Sequence, residues 1–126
     1  FERVLLAWNG SLEAVRAMHA ALPFLAMSRE VVLLDGAAAV QEDEGTIMPN
    51  FHPLEHLARH GIAATRRRIH ATAHEAGDAL LHEAKRMNAD LLVMGAYGRS
   101  RLRERILGGA TRRVLGQATL PVLMQH

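Results

Sequence analysis

The sequence predicts an α/β domain built on a parallel sheet with crossover helices, because short apolar runs alternate with longer segments of helical period. Five runs read as strands: Arg3 to Trp8, Glu30 to Leu34, Ile62 to Arg68, Asp90 to Met94 and Leu120 to Met124. Each interval between them exceeds the dozen or so residues that a parallel crossover requires. A chain of 126 residues, 49% of them apolar, suits one domain over residues 1–126 with a single core.

The elements follow in order. Strand one leads to Ser11, a hydroxyl able to cap free backbone N–H groups, and behind it Ala14, Val15, Met18, Leu22 and Leu25 recur at helical spacing, with Pro23 expected to bend or tighten the last turn. After strand two, Asp35 to Asn50 has Gly36, Gly45, Pro49 and an acidic cluster at Glu42, Asp43 and Glu44 but no clear period, so it reads as a loop. A short helix is expected from Pro53 to Arg59, stopped by Gly61. Strand three has a polar centre, Arg66-Arg67-Arg68, with Ile62, Ala64 and Ile69 as its buried positions, which suits a sheet edge. A third helix, Glu75 to Met87, should bury Ala76, Leu80, Ala84 and Met87; a last one, Gly109 to Gln117, should turn Val114 and Leu115 inward.

Composition narrows the function classes. Cysteine is absent, which excludes a disulfide framework and a thiolate metal site and suits a reducing cytoplasm. Apolar runs such as Val4 to Trp8 and Leu91 to Met94 fall far below the ~18 residues of a membrane span, so a soluble, cytoplasmic protein with no membrane partner is expected. Phe1 to Gly10 leads straight into the fold, and no targeting segment is read there. The net charge of +2 comes from a mild excess of arginine and nominates no partner.

The stretch that carries chemistry is GAYGRSRLRERILGGATRRVL, which begins where strand four ends. Its glycines Gly95, Gly98, Gly108 and Gly109 let backbone N–H groups approach an anion with no Cβ in the way. Gly108 and Gly109 then open a helix, whose first N–H groups are unpaired and whose positive dipole end favours negative charge. In an open α/β sheet the binding crevice lies beyond the carboxyl ends of the strands where the winding reverses, and strand four flanks it. The G-x4-G-K-[ST] phosphate loop is missing, and Glu104 is the only acid between Gly95 and Gln117, so weak ATP hydrolysis is the most that is expected and no catalytic residue is assigned.

The spacing Gly95-x2-Gly98-x9-Gly108 resembles the nucleotide-binding signature of the universal stress protein family. The opening VLLAWNGS, the LLVMGAYGRS of strand four, the GGATRRVL helix and the closing LPVLM extend the resemblance over almost the whole chain. It implies the strand order 3-2-1-4-5 with helices on both faces, and ATP or another adenine nucleotide, accompanied by Mg²⁺, as ligand. Carried onto this sequence, it implies that Met94 and Gly95 lie by the ribose, Gly98 by the phosphates, and Gly108, Gly109 and Ala110 along the phosphate chain; Arg99 and Thr111, adjoining these, are further candidates. Ala7, Trp8, Asn9 and Ser11 complete the implied site from strand one. Two positions depart from the family pattern: Asn9 replaces an Asp, losing the charge that would hold Mg²⁺ or act as a base, and Gly109 replaces a Ser or Thr, losing a hydroxyl but keeping its N–H. Binding is therefore expected to be weakened, not abolished.

Competing readings stand beside this one. The glycines can simply make tight turns, as in a nucleotide-free dimeric module; Ser11 and Asn9 can be a cap and a turn, and Trp8 a core residue. Arg99, Arg101, Arg103 and Arg105 can neutralise a triphosphate or remain solvated, while the low net charge and the single nearby aromatic, Tyr97, argue against nucleic acid. His52, His56 and His60 recur every four residues as metal ligands can, but Pro53 leaves His52 outside the helix, and the remaining pair reads as a solvated face with no metal. The family resemblance also implies pairing through Leu120 to Met124, as a homodimer or within a tandem protein, with Val122 and Met124 as contacts.

Overall fold

A computed structural model describes residues 1–36, 50–72, 74–96 and 109–126. The described elements are β1 (Arg3–Trp8), α1 (Leu12–Ala26), β2 (Glu30–Asp35), α2 (Pro53–Arg59), β3 (Ala64–Arg68), α3 (Ala76–Arg86), β4 (Leu91–Gly95), α4 (Gly109–Gln117) and β5 (Val122–Gln125). The sheet has five parallel strands in the order β3-β2-β1-β4-β5, in agreement with the order that the resemblance implies. Strand bounds shift by up to two residues. Ile62 precedes β3, where its N–H closes the end of α2 on the Leu57 carbonyl while its side chain is buried.

The alternation of side chains along each strand divides the core into two layers. Val4, Leu6 and Trp8 of β1, Val31 and Leu33 of β2, and Leu91 and Val93 of β4 face Ala14, Ala17, Met18, Ala21 and Leu25 of α1 and Leu57 of α2. Leu5, Val32, Leu34, Leu92 and Met94 face Ala76, Leu80 and Ala84 of α3 and Val114 of α4. The three central strands are thus apolar on both faces, which is why they appear in the sequence as continuous runs. Pro23 lies inside α1 without ending it. One expectation is corrected: Val114 is fully buried, but Leu115 is 56% exposed, because a nine-residue helix lying on the sheet buries a single narrow stripe and the next residue rotates about 100° away.

The polar edge strand is explained by two carboxylates from other elements. Arg66 and Arg68 share one face of β3 and both donate to the Asp35 carboxylate at the end of β2, which is 8% exposed. Arg67 points to the opposite face and donates to Glu83 of α3 at 2.8 Å, a carboxylate also held by Arg86. Burial works to raise the Glu83 pKa, but the hydrogen bonds and charges of Arg86 and Arg67 outweigh it and keep the group below its ordinary range. At the opposite end of the sheet the Asp90 carboxylate accepts the backbone N–H groups of Glu2 and Arg3, tying the start of β1 to that of β4.

Candidate functional site

The reversal of strand order lies at β1, which pairs with β2 on one side and β4 on the other. The chain leaves β1 after Trp8 and β4 after Gly95, so both strands open onto the same end of the sheet. That end is where an open parallel sheet offers a crevice, because the helices that follow the two strands, α1 and α4, pack on opposite faces of the sheet.

Local sequence builds the β1 side. Gly10 has φ +76°, a left-handed turn that glycine adopts without a Cβ clash, and it bends the chain from strand into helix. The Asn9 amide oxygen accepts hydrogen bonds from both the backbone N–H and the hydroxyl of Ser11. Ser11 Oγ in turn accepts the Ala14 N–H at 3.1 Å, so it is the N-cap of α1. The turn-and-cap reading of these residues is what the structure displays: Asn9 locks the cap, with its side chain at the exposed rim. Trp8 is only 8% exposed and stacks on Phe51, with ring centroids 5.7 Å apart, so it forms part of the core beneath the rim.

On the β4 side, Gly95 has a packing role that its sequence position does not reveal. A Cβ there would come within 2.7 Å of the Glu13 carbonyl carbon and 2.8 Å of both the Ala14 nitrogen and the Glu13 Cβ. The first turn of α1 therefore lies directly on the end of β4, and only glycine permits that approach. The same contact brings Glu13, an acid buried to 9% exposure, beside the strand end. Sequence reasoning misses Glu13 because no local pattern links it to a residue more than eighty positions away.

The start of α4 supplies the third side. Gly109 is exposed, Ala110 is half-buried and Thr111 is buried at 4% exposure. Ala110 packs in the same apolar cluster as Met94 and Ala7, which anchors the helix start to the face of β1 and β4. Of the nine predicted site residues that are described, Asn9 and Gly109 are exposed, Ala7, Ser11, Gly95 and Ala110 are partly exposed, and Trp8, Met94 and Thr111 are buried. Gly98, Arg99 and Gly108 lie outside the described residues, as do Tyr97, Arg101, Arg103, Glu104 and Arg105.

The histidine series is rearranged. His52 is the N-cap of α2 and stands apart from the pair, as Pro53 indicated. In its place His19 of α1 approaches both His56 and His60, a contact that no spacing within α2 could have revealed.

No curated protein matches the chain. Among solved structures it is similar to the universal stress protein UspA from Lactobacillus plantarum, at 15% identity over 100% of this chain and 98% of that one, with a TM-score of 0.76. It is also similar to a universal stress protein crystallised in complex with cAMP, at 20% identity over 99% and 97% of the two chains and a TM-score of 0.67. A third likeness is to a universal stress protein family protein from Arabidopsis thaliana with AMP bound, at 15% identity over 99% and 91% of the chains and a TM-score of 0.61. At these identities the likeness is one of fold. The family model described as the universal stress protein family matches residues 1–126, and since that match spans the whole length over which the sheet order agrees, the chain belongs to the universal stress protein family.

Proposed function

We propose that this protein binds an adenine nucleotide, ATP, at the crevice between β1 and β4, and that occupancy of the glycine-rich stretch, not turnover, is its signal. The observation that supports the reading is the placement of the two described elements that flank that stretch: β4 ends beside β1 at the reversal of strand order, and α4 begins at the exposed Gly109. The helix start presents unpaired N–H groups and a positive dipole end, which suit phosphate. Two fold neighbours were solved with adenine nucleotides, cAMP in one and AMP in the other. Met94, Gly95, Gly98, Arg99, Gly108, Gly109, Ala110 and Thr111 would hold the ligand from one side and Ala7, Trp8, Asn9 and Ser11 from the other. Trp8, Met94 and Thr111 are buried and would form the floor under the ligand.

Asn9 does not fit Mg²⁺: it is uncharged, and its amide oxygen already accepts two hydrogen bonds from Ser11.

Gly109→Asp separates binding from folding. An exposed first helical residue tolerates aspartate, whose charge complements the helix dipole, so stability should hold while a phosphate meets a carboxylate. Calorimetric titration should show ATP binding to the unaltered protein with competition by ADP or AMP, and a loss of affinity of about tenfold or more in the variant, equivalent to about 1.4 kcal/mol. Absence of heat with ATP, together with no nucleotide released when the purified protein is denatured, would overturn the proposal.

The edge strand β5 supports a second part of it. Val122, Leu123 and Met124 are only partly buried in the single chain, and an apolar edge strand of this kind is suited to pairing with a second copy. Sedimentation should give a dimer that Met124→Lys shifts to monomer; a monomer at all protein concentrations would exclude the pairing.

A further inference from the structure

Three histidine rings meet between α1 and α2. The ring centroids of His19 and His56 are 4.9 Å apart, those of His56 and His60 are 4.9 Å apart, and those of His19 and His60 are 6.2 Å apart. His56 is the hub. Its ring also lies 5.1 Å from that of Phe51, which stacks on Trp8 at the end of β1. The His56 Nε2 is shut off from solvent and has no hydrogen-bond partner among the described residues. Among the described residues no group of three His, Cys, Asp or Glu side chains is arranged to hold a metal ion, so the rings meet without converging on a metal position.

Such a hub tolerates a neutral imidazole and resists an imidazolium. A ring nitrogen without a partner and shut off from solvent costs some free energy, but a charge on that ring costs far more. Among the described residues, the charged and titratable groups acting on His56 are His19 from α1, with His60 and Arg59 from its own helix. From β3, against which α2 packs, Arg66 and Arg68 lie on the same face of the sheet and are held by Asp35 of β2. Burial first, and then the positive charges of His60, His19 and Arg59, keep His56 below its ordinary value.

We propose that this cluster is a proton-sensitive latch: a neutral His56 ring between His19 and His60 holds α2 against α1 with Phe51 stacked on Trp8, and proton uptake at His56 drives the rings apart, loosens α2 and unstacks Phe51. The direction follows from linkage. His56 takes up a proton less readily in the folded chain than in the unfolded one, so the latch contributes its full stability above the ordinary histidine value of about 6.5. That contribution is lost as the pH falls from there through the lower folded-state value. Trp8 immediately precedes Asn9, so release also alters the flank of the nucleotide crevice. This last consequence rests on the nucleotide reading, whereas the latch itself does not.

The chain carries its own reporter, since Trp8 is its only tryptophan. Fluorescence of the whole, ligand-free chain is followed from neutral to acid pH in buffer containing a chelator, with circular dichroism recorded in parallel. The emission maximum should shift to the red with a midpoint below the ordinary histidine value while the helical signal persists. His56→Phe, which keeps a ring and cannot be protonated, should abolish the shift. His19→Gln alters an exposed residue with little risk to folding, and by removing a positive neighbour should move the midpoint upward. An emission maximum that does not change over that range, or a transition that keeps its midpoint in both variants, overturns the latch. Because no nucleotide is present in the experiment, its failure leaves the binding proposal standing.

Discussion

Replacing Leu6 with alanine is expected to lower the unfolding free energy by about 2–5 kcal/mol, with a fall in Tm on the order of 10 °C. Leu6 is fully buried at the middle of the central strand, in register with Leu33 of β2 and Val93 of β4, and it belongs to the layer covered by α1 and α2. Truncation removes the transfer free energy of three carbons. It also leaves a cavity that cannot collapse, because hydrogen-bonded strands on both sides fix its walls. Leu115→Ala is the matched control: the same chemical change at a 56% exposed helix position should cost no more than about 0.5 kcal/mol. Urea unfolding of the two variants measures the difference, and equal costs would refute the outward placement of Leu115 on α4.

Gly36→Ala should cost about 2–5 kcal/mol, the sum of a backbone term and a steric one. Gly36 follows β2 with φ +87°, a conformation in which an L side chain is strained by about 1–2 kcal/mol. The steric cost arises because the new Cβ would fall on the Ile69 carbonyl oxygen, part of backbone that cannot rotate away. Overpacking of this kind typically costs a further ~1–3 kcal/mol. Moving that backbone would disturb the bond from the Ile69 N–H to the Asp35 carbonyl at 2.9 Å, and with it the alignment of Asp35 with Arg66 and Arg68. Gly61→Ala isolates the conformational part, since Gly61 has φ +75° and no described residue within 4 Å of its Cβ position. Its cost should be about 1–2 kcal/mol, and chemical denaturation showing the two variants equally stable would remove the clash from the account.

Features that depend on neighbouring residues were legible. The β1 span, the Ser11 cap, Pro53 at the start of α2 and the limits of α4 all follow from side-chain period, cap chemistry and proline geometry, which act over a few residues. The strand order came from the family resemblance, and the sheet agrees with it. Of the candidate site, the turn and cap at Asn9 and Ser11 and the core position of Trp8 could be read in advance, because each depends on its own strand-to-helix junction.

Contacts between distant elements could not be read this way. Asp35 meets Arg66 and Arg68 across separations of 31 and 33 residues, and Arg67 meets Glu83 across 16, so a polar run that resembled a weak strand became an edge held by buried carboxylates. His19 reaches His56 only because α1 and α2 lie on one face of the sheet, and Gly95 needs its missing side chain only because the first turn of α1 rests on β4. Local sequence was enough to specify the elements, their caps and the glycine spacing, since torsional preference and side-chain period are properties of a few adjacent residues. Helix rotation and the crossing of helices over the sheet settle which charges pair, which leucine faces water and which histidines share a pocket, because these depend on the packing of all the elements at once.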